Sequence, residues 1–335
     1  MSLGFFICLT TLNVTSFAQE NVSDRTAEEM IDHYLKQDYL QLNVLLQSNA
    51  RYSIHDTRFQ GGRTFQIPNA RIGLSGEVDE NFYYGVLYNV AREQPLLDAY
   101  IGWKYTDQFR VQLGAMKPHF SADFIPDPVT HDFVDRSRLP GHLGLTRQIG
   151  VMAIGDIDRF TWYAGVFNGN RLRTNDNNKF DFLARLEGSQ SLANGVLDVG
   201  VNAMYGETTQ SPIGVFIAVE RTIVGADIRF ENQDVLFAAE YLHGHFESVD
   251  FDREETINGF YVTAGHYFEE DLLALLRFQN MLHTAGEFFE SSQVTLGVKK
   301  FMTSLVSVEA NFDVYNPGTD EKTQFGITLN ANILF

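Results

Sequence analysis

Lys117, Arg136, Arg138 and Arg147 crowd into one stretch of a chain whose formal net charge is -18. Within that stretch they meet Asp123, Asp127, Asp132 and Asp135, so it is formally neutral inside an acidic protein. Cations at this density need no nucleophile or metal to be useful, because they can replace part of the hydration shell of a passing anion. The interleaved carboxylates argue for a weak preference, since rings of a single sign favour one ion class and mixed rings do not. Arg110 lies just upstream, and Arg71 and Arg185 stand at comparable positions of other segments. His119, His131 and His142 share the stretch and either titrate near neutral pH or fill its packing.

Other sets of reactive residues are weaker. His243-Gly-His245 with Glu247, Asp250 and Asp252 has the residue types of a zinc or calcium site, but it meets no established ligand spacing and reads as an acidic outer loop. Asn175-Asp-Asn-Asn178 lacks the glycine and distant glutamate of an EF-hand and reads as turn chemistry. No nucleophile elbow and no Ser, His, Asp set stands out, which an outer-membrane hydrolase would need. Cys8 is the one cysteine, and it lies in a segment expected to be removed, so disulfides and thiol chemistry are excluded from the mature chain. No cofactor is implied. The acidic balance also argues against nucleic acid, whose phosphates demand clustered Lys and Arg.

The elements that must position these residues are strands. Phe109, Val111, Leu113 and Ala115 fall on one face of 108–117, and Arg110, Gln112, Gly114 and Met116 on the other, which is period two. From Pro118 to Arg147 no period persists, and a loop of that length in a compact domain is usually functional. The same alternation predicts strands at 39–47, 66–76, 82–91, 96–105, 108–117, 148–155, 159–168, 180–188, 196–206, 223–231, 235–243, 257–267, 272–281, 292–301, 304–314 and 323–335. Sixteen is even, as bacterial single-chain barrels require, so 212–219 is read as loop. Short connections such as 77–81, 156–158 and 232–234 alternate with long ones at 48–65, 118–147, 169–179, 207–222, 244–256, 282–291 and 315–322. The short link 92–95 breaks that alternation. A 44% hydrophobic composition suits such a barrel, and no apolar run after residue 20 approaches the roughly 18–20 residues of a spanning helix.

The fold class expected is therefore all-β, a 16-stranded antiparallel transmembrane β-barrel whose third outer loop, 118–147, folds into the lumen. Outward rows should include Leu97, Ala99, Ile101, Trp103 and Tyr105; Phe160, Trp162, Ala164 and Val166; and Leu197, Val199, Val201, Ala203 and Tyr205. The inward rows should carry Arg71, Asp98, Lys104, Arg110, Arg185, Glu187, Asp227, Arg229, Glu240, Arg277, Lys299 and Glu309, charges that an apolar core could not hold. Residues 1–18, ending Ser16-Phe17-Ala18, read as a signal peptide, and 19–37 as a short polar, partly helical periplasmic leader before the 38–335 barrel. The last strand alternates to Phe335, an ending similar to the assembly signal of Gram-negative outer-membrane barrels. A surface β-sandwich adhesin would explain the strands and the leader, but neither the loop alternation nor that terminus.

Several blocks carry a more specific likeness: Asn69-Ala-Arg-Ile-Gly-Leu-Ser-Gly76, Leu97-Asp-Ala-Tyr-Ile101, Gly114-Ala-Met-Lys-Pro-His-Phe120, Arg147-Gln-Ile-Gly-Val151 and Gly165-Val-Phe-Asn-Gly169, then Val224–Phe230 and Ala239–Tyr241. In that order they resemble the phosphate-selective porin O and P family. The resemblance implies an outer-membrane diffusion porin for small hydrophilic solutes and ions, commonly a homotrimer, set in outer-membrane lipid and lipopolysaccharide. It also implies a preference for anions or phosphate through arginines leading to a lysine-bearing constriction. The positions that match are Lys117, Arg136, Arg138 and Arg147, with Arg110, Arg71 and Arg185 on the wall.

Overall fold

A computed structural model describes residues 36–54, 62–208, 219–249, 252–269, 271–285, 287–318 and 322–335. The expected signal peptide, the leader as far as residue 35, residues 212–218 and Asp250 lie outside the described residues. Sixteen strands form the wall: β1 (Leu40–Ile54), β2 (Arg63–Glu77), β3 (Phe82–Asn89), β4 (Leu96–Thr106), β5 (Phe109–Met116), β6 (Gln148–Ile157), β7 (Phe160–Phe167), β8 (Asp181–Leu192), β9 (Gly195–Thr208), β10 (Val219–Glu231), β11 (Val235–Ser248), β12 (Glu254–Glu269), β13 (Leu272–Ala285), β14 (Glu287–Phe301), β15 (Val306–Asn316) and β16 (Gln324–Leu334). A two-residue strand, Lys36–Gln37, pairs with the start of β1. Each strand runs antiparallel to its neighbours, and β16 pairs with β1 from Phe325↔Ile54 to Leu334↔Leu45, which closes the barrel. The Phe335 amide donates to the Val44 carbonyl at 3.0 Å, so the C-terminal residue is part of the seam.

Turns of two to four residues close one end, at 107–108, 158–159, 193–194, 232–234 and 302–305 among others. Asp158 takes a positive φ of 53° in the tightest class of these, a conformation that Asp tolerates better than most residues. At the other end the hairpins reach further than the period-two pattern predicts. The expected loops 244–256 and 282–291 are mostly ladder, since β11 runs to Ser248, β12 starts at Glu254, and β13 and β14 are separated only at residue 286. Above the bilayer both faces of a hairpin are wet, so the backbone continues to pair after the apolar alternation has ended.

The outward rows follow the expected faces, with Val201 at 53% and Ile101 at 63% exposure. Leu97 is the exception. It is buried, because the β3–β4 register slips between Leu87↔Asp98 and Tyr88↔Leu96 and leaves Leu97 as the unpaired residue of a bulge. Trp103 and Tyr105 sit on the outward face at the turn end of β4, their rings 5.4 Å apart, as an interfacial aromatic belt requires.

The segment 117–147 enters the lumen and docks along the wall from β10 round to β1. Glu240 of β11 accepts from the Ser121 hydroxyl at 3.1 Å and from the Ala122 and Asp123 amides at 3.0 and 3.2 Å. Lys299 of β14 donates to the Val129 and His131 carbonyls, both at 2.8 Å, while its ammonium also lies 3.0 Å from Glu309. Arg51 grips Asp135 with two bonds of 2.7 and 2.6 Å, Arg229 grips Asp132 at 2.9 and 3.0 Å, and Arg277 donates to the Asp135 carbonyl at 3.1 Å. Apolar residues of the loop fill places where the wall has no side chain. A Cβ at Gly297 would come within 2.8 Å of the Phe133 ring, at Gly259 within 3.0 Å of Leu139, and at Gly244 within 2.4 Å of Leu143. Leu139 belongs to a short helix, α1 (Arg138–His142). The hydrophobic core therefore lies inside the barrel between loop and wall, where Met152, Ile154, Leu183, Met204, Leu242 and Phe246 face inward.

Two outcomes follow from this packing. Val201→Arg places a charge on the outward face in the middle of β9 and should lower the unfolding free energy in a urea titration by about 2–4 kcal/mol, the cost of Arg near the bilayer midplane. His131 is buried in the loop with Nε2 2.8 Å from the Asp123 carbonyl. Burial first, then Arg136 and Arg277, pushes its pKa down to about 4 against the opposing pull of Asp123 and Asp132. A depressed folded-state pKa stabilises the docked loop fully above the ordinary histidine value near 6.5 and progressively less as pH falls toward 4. Single-channel conductance should therefore change between pH 6.5 and 4.5 in the native protein; if His131→Leu changes to the same extent, this histidine is not the cause.

Candidate functional site

The loop approaches the β2–β4 wall with its cations. Arg71 points inward from β2, its Nε donating to Asn69 Oδ1 at 2.9 Å and one terminal nitrogen to Asp127 at 3.2 Å. Asn69 is itself fixed by Asn89, which donates to it at 3.1 Å. Lys117, the first residue after β5, donates to the carbonyls of Ile125 and Pro126 at 2.8 and 3.2 Å and lies 3.6 Å from Asp127. Arg136 donates to the Asp123 and Pro126 carbonyls at 3.0 and 2.5 Å. Arg147 forms a fork on Asp98 at 2.8 and 3.1 Å. Lys117 and Arg136 flank the Phe124 ring at 5.7 and 5.6 Å from its centroid.

These groups are close enough to oppose one another's charge. Burial, reinforced by Arg136, Arg147 and Arg71 and resisted by Asp127, pushes the Lys117 ammonium down to about 8. Arg136 is lowered first by burial and then by Arg147 and Arg92, with Asp123 and Asp127 opposing. Arg92, from the 90–95 connection, is lowered by burial and by Arg147, and it forms no ion pair among the described residues. The cluster is thus Arg71, Arg92, Lys117, Arg136 and Arg147, with Asp98, Asp123 and Asp127 as the carboxylates beside it. Cations that depress one another in a partly desolvated wall leave an excess positive potential, which an incoming anion relieves.

Of the residues the sequence singles out, Arg71, Lys117, Arg136 and Arg147 come together. Arg138 does not join them: it lies against β14 and β15, its guanidinium 4.1 Å above the Tyr315 ring and 3.4 Å from the Ser291 hydroxyl. Arg185 is bound by Asp227 at 2.6 and 3.0 Å, by Glu187 at 2.9 Å and by Asn202 at 2.7 Å. Arg110 is paired with Asp156 at 3.2 Å near the short-turn end. Arg92 was the residue missed, and the signal for it was the short link 92–95 that breaks the loop alternation. A connection too short to rise away from the mouth keeps its side chains beside the pore.

The histidines separate in the same way. His119 stacks on Tyr163 at 3.7 Å between centroids and lies 3.5 Å from Glu187, while His142 Nδ1 contacts the Arg138 carbonyl at 2.9 Å inside its own helical turn. His243 and His245 stand on the outward face of β11 rather than in a loop, with His243 contacting Asn258 across the ladder. In the 175–178 segment, Asn175 Oδ1 accepts from the amides of Asn177 and Asn178 at 3.1 and 2.8 Å, an Asx turn.

The profile of the phosphate-selective porin O and P family matches residues 41–242, more than half of the 335-residue chain. A comparison with curated proteins finds no match. Among solved structures, an anion-selective porin from Comamonas acidovorans superposes with a TM-score of 0.68 at 12% identity, covering 88% of this chain and 99% of that one. A loop L8 deletion mutant of OmpT, an outer membrane protein of Vibrio cholerae, gives 0.68 at 13% identity with 88% and 99% covered. A trimer form of in-vitro folded OmpT from the same organism gives 0.64 at 12%, with 88% and 99% covered. Identities this low show the shared fold. The family match, together with a closed sixteen-stranded wall, identifies the chain as a diffusion porin of the Gram-negative outer membrane that belongs to the phosphate-selective porin O and P family.

Proposed function

We propose that the cluster of Arg71, Arg92, Lys117, Arg136 and Arg147 is the constriction of this channel and gives it a preference for small anions, inorganic phosphate included. The observation that carries the reading is geometric: Arg71, Lys117, Arg136 and Arg147 meet where the 117–147 loop reaches the β2–β4 wall, with Arg92 on the adjoining 90–95 connection. Asp98 and Asp127 offset part of that charge, so the preference is graded and the pore remains permeable to other small hydrophilic solutes. The reading contains no covalent step: a solute exchanges part of its hydration for wall charges, passes the inserted loop, which sets the size limit, and leaves unchanged. Arg138, Arg185 and Arg110 take supporting roles, the first two holding loop and wall in place and the third at the short-turn mouth.

Reversal potentials in a KCl gradient across a planar bilayer test this. Lys117→Glu and Arg92→Glu should each lower the anion-to-cation permeability ratio roughly fivefold, the equivalent of about 1 kcal/mol of Coulombic change. Arg138→Glu should change it far less, and millimolar phosphate should block the native channel. Ratios unchanged in both Lys117→Glu and Arg92→Glu would remove the cluster from the permeation path.

We further propose that the outward rows meet outer-membrane lipid, with lipopolysaccharide around the mouth, and that the porin assembles as a homotrimer through the seam. The support is a groove of about 1230 Å³ across β14, β15, β16, β1 and β2, bordered by Ala50, Phe65, Ile67, Ala310, Leu329 and Ala331. Phe65 on its border is 89% exposed, and small residues along a hollow of this size leave room for a neighbouring wall. Ala310→Trp, which fills the hollow, should convert the native oligomer to monomer in detergent light scattering; an unchanged mass places the contact elsewhere.

A further inference from the structure

Below the cation cluster the wall changes character. On β4 the inward row continues from Asp98, the partner of Arg147, through Tyr100 and Gly102 to Lys104. At about 3.3 Å per residue, Tyr100 lies about 7 Å below Asp98 and Lys104 about 20 Å below it. Tyr83 faces inward from β3, and the two tyrosines are exchanged against glycines across the ladder, Tyr83↔Gly102 and Gly85↔Tyr100. A Cβ at Gly102 would lie 2.0 Å from the Tyr83 ring, and one at Gly85 would lie 2.6 Å from the Tyr100 ring. Each ring therefore leans over the bare backbone of the next strand. Their centroids are 6.3 Å apart at 76°, which makes an aromatic corner on the lumen wall.

That corner borders a cavity of about 450 Å³ whose other walls include Gln41, Gln112, Lys104 and Arg110. Lys104 pairs with Glu77 and lies 5.7 Å above the Tyr83 ring, and Arg110 uses one nitrogen on Asp156. Both pairs are partly exposed, so they are weak and retain free donors. Aromatic faces beside amides and loosely paired charges suit a ring that carries hydroxyl groups: the C–H face packs on tyrosine, and the hydroxyls find donors and acceptors in the rim. An aryl ring would leave those polar groups unmatched. Two residues along β4 from Tyr100, about 7 Å, Asp98 holds Arg147 of the cation cluster.

We infer that the pore holds a phosphorylated sugar, with the phosphate at the Arg71, Lys117, Arg147 cluster and the sugar ring in the Tyr83, Tyr100 corner. This rests on the anion constriction proposed above and adds to it the part of the solute that is not charged. Inorganic phosphate meets only the first half of the site, and glucose only the second.

Block of single-channel current by glucose 6-phosphate, inorganic phosphate, glucose and phenyl phosphate separates the possibilities. Glucose 6-phosphate should block at a roughly tenfold lower concentration than inorganic phosphate, the factor that one aromatic contact supplies. Tyr83→Ala with Tyr100→Ala should erase that difference while leaving block by inorganic phosphate unchanged. Should that variant fail to insert, Gly102→Ala displaces the Tyr83 ring without altering any charge and should weaken block by glucose 6-phosphate alone. Equal block by the two phosphates in the native channel would overturn the inference. So would stronger, tyrosine-dependent block by phenyl phosphate, which would assign the corner to aryl solutes. If glucose 6-phosphate blocks and inorganic phosphate does not, the constriction reading fails while the ring site stands.

Discussion

Inside a bilayer there is no water to pair with a backbone amide or carbonyl, and each unpaired group costs several kcal/mol. Everything else in this protein follows from that requirement. A sheet can meet it only by closing, so β16 must pair with β1 along almost its whole length. Closure then sorts side chains into two environments with no intermediate choice, lipid outside and lumen inside. The outward positions are Val, Ile, Leu and aromatics on strand after strand, and the inward ones collect the charge that lipid excludes.

Charge inside the lumen is divided between two roles. Arg51, Arg185, Arg229, Arg277 and Lys299 are consumed by carboxylates and carbonyls, and most of those partners belong to the crossing loop or fix it. In the two fully buried pairs among them, Arg185 with Asp227 and Lys299 with Glu309, removing one member leaves the other uncompensated, at a cost of about 3–5 kcal/mol. Arg71, Arg92, Lys117, Arg136 and Arg147 are less completely answered. The carboxylates beside them are Asp98, Asp123 and Asp127, and the hydrogen bonds of Lys117 and Arg136 go to neutral carbonyls. A single polar wall therefore contains both the fastening of the loop and the field a solute meets.

The fold was nearly all legible because period-two alternation is imposed by the lipid on one face of every strand. All sixteen expected strands are present and their even count agrees with the closure, while of the segment 212–219 read as loop only Val219 is described, and it opens β10. Legibility failed where the lipid constraint stops. The outer hairpins extend past the apolar alternation, and Leu97 defeats the face assignment because a bulge is a change of register, invisible to a strict period. The site was legible in part. Lys117, Arg136 and Arg147 could be named from their density in one loop, and Arg71 from its strand parity. Arg138 was misplaced, because nothing in the order of residues says which wall a crossing loop meets at each point. Likewise the inward apolar patch of Met152, Ile154, Leu183 and Met204 looks like an ordinary wall until the loop that covers it is in place. Glycines at 244, 259 and 297 mark the seats of Leu143, Leu139 and Phe133, and their meaning depends on contacts more than a hundred residues away in the chain.

That separation fixes an order of events during biogenesis. Residues 117–147 find Arg51, Arg71 and Asp98 earlier in the chain, but their other anchors, at Asn202, Arg229, Glu240, Arg277 and Lys299, are all synthesised after them. The loop cannot settle until the second half of the wall has been threaded and curved around it. Because the loop is fastened to β1 through Arg51 and to β13 and β14 through Arg277 and Lys299, the narrowing is complete only when wall on both sides of the seam is in place.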